Sequence, residues 1–99
     1  MLAVHCILSL LAGVLICNSI PHLTAGLRGE PFPSPFTTPR GIAPSSPEVN
    51  MLWGAANLFV GLLLFCHPVW LGFVIGFTAS GWFLAKTFGK ARAAGFGKL

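Results

Sequence analysis

The sequence predicts an all-α integral membrane protein with three transmembrane helices. Hydrophobic residues make up 55% of the 99 residues, and charged residues only 8%. Soluble domains carry about 25% charged residues, so a chain with this few cannot cover its surface with polar groups. Three apolar stretches are also each long enough to cross about 30 Å of hydrocarbon as a helix. We therefore expect one membrane domain over residues 1–99, with lipid as its main solvent.

The first predicted span covers residues 2–20 and ends at Pro21. It would extend roughly 28 Å as a helix, close to one hydrocarbon thickness. Proline ends a helix because it has no N–H to donate and its ring clashes with the preceding turn. No Lys or Arg precedes Arg28, and no small-x-small cleavage site follows the span, so the features of a signal peptide are missing. We expect an uncleaved helix.

A Pro-rich loop is expected over residues 21–46, where six prolines alternate with glycines. Such a segment favours extended or turn-rich backbone, and it does not cross a bilayer because its backbone groups would lack partners there. Phe32 and Phe36 flank Pro33-Ser34-Pro35. Two interpretations are open: both aromatic side chains enter the membrane interface, or the run is a polyproline-type strip that docks on a partner.

The second and third spans are predicted over residues 47–66 and 68–88, followed by a basic tail over 89–99. Ser46 is a favourable N-cap, Pro47 suits the first helical position, and Glu48 suits the positive end of the helix dipole. As one helix, the two apolar runs would be roughly 60 Å long, too long for one crossing. A break at His67-Pro68 therefore predicts a tight antiparallel hairpin, with a single kinked helix as the alternative.

The distribution of charge predicts an orientation. With three crossings, the loop and the tail lie on one side, and the positive-inside rule places both in the cytoplasm and the N-terminus outside. The lipid bilayer is the expected partner, with anionic lipid at the tail. Nucleic acid is not expected, because no basic run is interleaved with exposed aromatic residues. The residues that carry the positive charge are Arg28, Arg40, Lys86, Lys90, Arg92 and Lys98.

Each span carries a row of small or polar residues, which mark helix contacts in lipid. One interpretation is a compact three-helix bundle. The other is that the row from Gly72 to Ser80 forms a homodimer or binds another membrane protein. Asn57, the deepest amide, is expected to bond to a neighbouring helix, with a ligand or ion role as the alternative. The predicted packing residues are Gly13, Gly54, Asn57, Gly61, Gly72, Gly76 and Ser80.

At the outer face, the predicted topology places His5 and Cys6 at the same depth as Cys66 and His67. Imidazole and thiolate groups bind zinc or copper, and the two thiols could instead form a disulfide. The simpler interpretation is four unconnected residues near helix ends, because adjacent His-Cys pairs match no recognised metal spacing. No cofactor is expected.

We do not expect an enzyme. The chain has no Asp, and Glu30 and Glu48 are its only acidic side chains. It has no Gly-rich phosphate loop followed by Lys, and no carboxylate positioned to orient a Ser–His pair. The expected function is that of an accessory or interaction subunit of a membrane complex. The alternative is a small-molecule or ion binder, or a channel in oligomeric form, or a metal binder through the outer His and Cys residues.

Three segments carry a resemblance: Asn18-Ser19-Ile20-Pro21-His22, Gly26-Leu27-Arg28-Gly29-Glu30, and Val49-Asn50-Met51-Leu52-Trp53-Gly54. In them the chain resembles a group of small, uncharacterised bacterial membrane proteins. The resemblance implies three spans and a bacterial inner-membrane location, and it implies no activity. It also directs attention to a polar cluster of His22, Arg28, Glu30 and Asn50 at the cytoplasmic rim. An ordinary loop, held by a contact of Arg28 or His22 with Glu30, is the simpler interpretation.

Overall fold

The computed structural model describes residues 1–95 of the 99-residue chain, and the regular secondary structure of this part is three α-helices and one short strand pair. Its elements are α1 (Leu2–Leu27), β1 (Phe32–Pro33), β2 (Pro44–Ser45), α2 (Pro47–Leu64) and α3 (Trp70–Ala93). Each of the three helices is long and apolar enough to cross a membrane. The predicted fold class is confirmed at this level. Lys98, in the predicted tail, lies outside the described residues.

The first helix is longer than predicted, because Pro21 does not end it. α1 continues to Leu27, so the predicted boundary between the span 2–20 and the loop 21–46 is wrong. A proline inside a helix removes one backbone hydrogen bond, which membrane helices tolerate when nearby groups compensate. Here the lost bond is the one to the carbonyl of Cys17, four residues before the proline. The turns after Pro21 pack against α2, with Leu23 against Gly54 and Gly26 against Met51, and this packing offsets the lost bond.

α1 is ended by a glycine. Gly29 has a φ of +71°, in the left-handed region that glycine adopts without strain. Its N–H donates to the Gly26 carbonyl at 3.1 Å, and the N–H of Glu30 donates to the Ala25 carbonyl at 2.9 Å. Together these bonds form a Schellman motif, which satisfies carbonyl groups at the helix end.

The other two helices also differ from the prediction in their bounds. α2 ends at Leu64 rather than at 66, and α3 begins at Trp70 rather than at 68. The connection between them contains the predicted break at His67-Pro68, but proline does not begin the new helix. Val69 is the N-cap of α3, and its N–H donates to the hydroxyl of Ser9 in α1 at 2.9 Å. α3 ends at Ala93, so the first part of the predicted tail 89–99 is helical.

The Pro-rich connection folds back on itself as a strand pair. β1 and β2 are antiparallel, with Phe32 opposite Ser45. The N–H of Gly41 donates to the backbone oxygen of Ser34 at 3.0 Å, and the hydroxyls of Ser34 and Ser45 are hydrogen-bonded to each other. The segment is rich in turns, as predicted, and hydrogen bonds within the loop join its two halves.

α1 is the central helix, and α2 and α3 pack against it rather than against each other. Gly26, late in α1, lies against Met51, early in α2, so these helices are antiparallel. Cys6, early in α1, lies against Gly72, early in α3, so these two are parallel. Residues 18–53 and 80–95 therefore form one end of the molecule, here called the loop end. Residues 1–9 and 62–74 form the opposite end, here called the turn end.

The charged residues are segregated between these ends. All the Lys and Arg residues within positions 1–95 lie at the loop end: Arg28, Arg40, Lys86, Lys90 and Arg92. The predicted orientation assumes that these positive charges lie on one side of the membrane, and their position at one end of the molecule agrees with that assumption.

Small residues allow the helix backbones to approach closely. A Cβ atom at Gly54 would lie 2.8 Å from the backbone nitrogen of Leu23, and one at Gly76 would meet the backbone of Leu10. The hydroxyl of Ser80 donates to the backbone oxygen of Val14 at 3.4 Å. α1 therefore covers the row from Gly72 to Ser80, and that row is not open to a second copy of the chain. The remaining predicted packing glycines also face a partner helix: Gly13, Gly61 and Gly72.

Gly76→Ala is expected to lower the free energy of unfolding by about 1–3 kcal/mol, because the added methyl group forces α1 and α3 apart. The measurement is thermal and denaturant unfolding in mild detergent. Gly89→Ala is the matched control, because it makes the same change in the same helix where nothing lies within 4 Å. Equal stability of the two variants would contradict the close approach of α1 and α3.

Candidate functional site

The loop end contains a buried hydrogen-bonded pair that joins α1 to α2. Ser46 caps α2 by accepting the Val49 N–H at 3.2 Å, so the helix begins with Asn50 in its first turn. Asn50 is fully buried and His22 is 2% exposed. The His22 Nδ1 and Asn50 Oδ1 atoms are 2.7 Å apart. This bond requires α1 to continue beyond Pro21, because His22 directly follows the proline.

The same Asn50 side chain fastens the loop to the helices. Its amide nitrogen donates to the backbone oxygens of Phe32 (2.9 Å), Ser45 (3.3 Å) and Ser46 (3.1 Å). Phe32 belongs to β1 and Ser45 to β2, so both strands are tied to α2 through one amide group. Carbonyl oxygens only accept hydrogen bonds, so they fix the orientation of the amide and leave its oxygen facing His22.

That orientation also fixes the tautomer of His22. Because Asn50 Oδ1 is an acceptor, the proton of this bond resides on His22 Nδ1, and Nε2 of the neutral ring keeps its lone pair. Three aromatic rings surround the imidazole edge-on, at centroid distances of 5.6 Å for Phe32, 6.5 Å for Trp53 and 5.9 Å for Phe88. β1, α2 and α3 each contribute one of these rings, so His22 lies where the loop meets all three helices.

A cavity of about 200 Å³ lies beside His22, between the loop and the helix ends. Trp53, Leu84 and Phe88 form much of its apolar wall. Polar lining residues come from α1, α3 and the loop: Asn18, His22, Ser34, Arg40 and Thr87.

The polar cluster suggested by the resemblance separates into two pairs. His22 and Asn50 form the buried pair, whereas Arg28 and Glu30 form an exposed ion pair with 2.6 Å between nitrogen and oxygen. Within residues 1–95, no hydrogen bond or ion pair joins the two pairs. An exposed pair of this kind contributes about 0–1 kcal/mol to stability. The expected four-residue cluster is therefore not formed, and Glu30 contacts Arg28 rather than His22.

Asn57 lies deep in α2 and contacts α1 through Asn18, which is not among the predicted packing residues. Asn18 donates from its amide nitrogen to Asn57 Oδ1 at 3.1 Å, and Asn57 donates to the Trp53 carbonyl at 2.8 Å. Asn18 precedes His22 by four residues and so lies on the same helix face. A second amide within an apolar span was the available signal, since buried amides pair across helices.

The outer His and Cys residues do not assemble into a ligand set. The His5 and His67 rings are stacked with 4.4 Å between their centroids. Cys6 and Cys66 are free thiols, so the disulfide alternative is not realised. In the described part of the chain, no group of three or more His, Cys, Asp or Glu side chains is arranged to hold a metal ion. Similar depth in the membrane therefore does not bring all four residues together.

No protein-family model matches the chain, and no match is found among curated proteins or solved structures. The geometry of the loop end is therefore the basis for a proposed function.

Asn50→Ala is expected to release the loop, because both strands lose their attachment to α2. The measurement is limited trypsin digestion in detergent, and we expect faster cleavage after Arg40. Asn57→Ala is the matched control, since it removes an interhelical amide that does not contact the loop. Equal cleavage rates in the two variants would show that Asn50 does not hold the loop.

A double-mutant cycle with Asn18→Ala and Asn57→Ala is expected to give a coupling energy of about 0.6 kcal/mol, the average for hydrogen bonds between membrane helices, and at most about 1.7 kcal/mol. The measurement is the free energy of unfolding of the parent, the two single variants and the double variant. Strictly additive losses would mean that the two amides do not interact.

Proposed function

We propose that the protein is an accessory or interaction subunit of a membrane complex, and that residues 28–46, here called the docking loop, contact its partner. The observation that carries this proposal is a loop tied down by buried hydrogen bonds that nevertheless leaves the Phe36 side chain 62% exposed. Aromatic side chains, phenylalanine included, are enriched in the cores of protein interfaces relative to the rest of the surface.

Preorganisation supports this interpretation. A loop that is ordered before binding loses less conformational entropy when a partner binds. Phe36 also packs edge-on against Trp53, with 5.1 Å between ring centroids, so its ring is oriented as well as exposed. Phe32 instead faces inward, 4.7 Å from the Phe88 ring. Of the two interpretations of the Pro-rich run, these contacts favour docking, because only one of the two aromatic rings is directed outward.

The hydrogen bonds of Asn57 favour a role in protein contact over a role in ion conduction. An ion pathway needs a continuous row of polar groups or backbone carbonyls. Asn57 is bonded to Asn18 and to the Trp53 carbonyl, and the small crevice beside it is otherwise lined by apolar side chains and Trp53. A channel would therefore have to form between several copies of the chain. We also propose that the protein has no enzymatic activity.

For the cellular location, we propose the bacterial inner membrane, with the N-terminus outside and the docking loop and C-terminus in the cytoplasm. The positive charge at the loop end supports this orientation through the positive-inside rule. The resemblance to small bacterial membrane proteins supports the choice of membrane.

Site-specific photo-crosslinking in native membranes tests the docking loop. Phe36→p-benzoylphenylalanine is expected to give one dominant protein adduct, because the ring at this position is exposed and fixed. Phe59→p-benzoylphenylalanine is the matched control: Phe59 is an exposed phenylalanine within the apolar part of α2 and should react mainly with lipid. Mass spectrometry would identify the adducts.

A second variant separates specific docking from chance collision. Adding Asn50→Ala to the Phe36 probe should abolish the protein adduct while membrane insertion is retained. An adduct that persists without the loop attachment would contradict docking by the folded loop. Recovery of an isolated monomer with no adduct at Phe36 would overturn the accessory proposal itself.

A further inference from the structure

The cavity beside His22 contains an unused hydrogen-bond acceptor. His22 Nδ1 is bonded to Asn50, and no described residue is hydrogen-bonded to Nε2. In the described part of the chain, every fully buried side-chain nitrogen or oxygen has a hydrogen-bond partner. Nε2 has none, so it is not fully buried. His22 is only 2% exposed and lines this cavity, so the cavity is where Nε2 is accessible.

The cavity also has a cationic side. Arg40 lines it and is exposed, and the described residues contain no ion-pair partner for it. No acidic residue lines the cavity, because Glu30 is paired with Arg28 and Glu48 lies in the first turn of α2. Arginine binds phosphate oxygens through charge-assisted, often bidentate, hydrogen bonds.

A ligand that satisfies both His22 Nε2 and Arg40 combines two groups. A phosphate would bind Arg40, and a hydroxyl or ammonium group would donate to His22 Nε2. The volume of about 200 Å³ is below the range of about 300–1,000 Å³ that is typical for drug-sized ligands, so a compact polar group fits better. Trp53, Leu84 and Phe88 would contact the carbon atoms of that group.

We propose that the cavity binds the headgroup of a phospholipid whose headgroup carries a hydrogen-bond donor, such as phosphatidylglycerol or phosphatidylethanolamine. The position of the cavity supports a lipid, because it lies at the loop end, where apolar helices meet the polar loop and the Lys and Arg residues. The acyl chains would extend along the apolar helix surfaces. Phosphatidylcholine has the phosphate but no donor, so it would leave Nε2 unpaired.

Native mass spectrometry of the delipidated protein in mild detergent tests this site. The probes are phosphatidylglycerol, phosphatidylethanolamine and phosphatidylcholine with identical acyl chains. The two lipids with a donor should be retained about tenfold more than phosphatidylcholine, since the choline headgroup makes one hydrogen bond fewer and leaves a polar atom unpaired. Equal retention of all three lipids would overturn the proposal.

Charge-matched variants distinguish the cavity from general attraction to a basic surface. Arg40→Gln should reduce retention of the donor-bearing lipids about tenfold, because it removes the phosphate contact. Lys90→Gln removes an exposed charge from α3 outside the cavity and should leave retention unchanged. Equal losses in both variants would show surface attraction only and would contradict the site. Displacement of lipid by equimolar glycerol 3-phosphate would assign the cavity to a soluble phosphate ester and overturn the lipid assignment.

Discussion

The hydrogen bonds of one buried amide join the parts of this protein that are far apart in the sequence. Asn50 accepts from His22 in α1 and donates to the backbone of both short strands, so a single side chain connects two helices and the loop. An unpaired amide away from water costs about 2–7 kcal/mol, depending on the reference state. Moving the loop or α1 away would leave polar groups of this network unpaired, at that cost. The arrangement of rings around His22, the exposure of Phe36 and the neighbouring cavity all depend on the Asn50 hydrogen bonds.

The Asn50 network can form only because the helix backbones are close together. Where lipid surrounds a bundle, burial of apolar surface gives helices little reason to associate, and close packing and hydrogen bonds must hold them. α1 supplies both faces of that packing, with Gly54 of α2 against one side and Gly76 of α3 against the other. The loop is thus attached to a bundle whose central helix contacts both of the others. A fixed loop, rather than a long mobile connection, follows from this packing.

The coarse architecture could be predicted from sequence because it depends on long apolar runs and on charge. Such runs specify helices and their number, and the Ser46-Pro47-Glu48 start of α2 follows from local capping chemistry. The local penalty of Pro21, a lost hydrogen bond and a ring clash, predicts a helix end there, whereas the gain from packing the next two turns on α2 is visible only in three dimensions. The Gly29 stop was present in the sequence, and it is the stronger signal because it satisfies several carbonyl groups.

The candidate site was only partly predictable, for a related reason. The sequence points to His22 and Asn50, but their pairing requires α1 to extend beyond Pro21. Nothing in the local sequence marks Arg40 or Asn18 as a site residue, because each gains its position from tertiary packing.

The most direct test of this account is ¹⁵N NMR of the protein labelled at histidine and reconstituted in lipid nanodiscs, with the His22 signals assigned by their loss in His22→Gln. The account predicts a neutral ring protonated at Nδ1, with a proton that exchanges slowly because it is held by Asn50. A ring protonated at Nε2, or a proton in rapid exchange with water, would contradict the His22–Asn50 bond and with it the fixed docking loop.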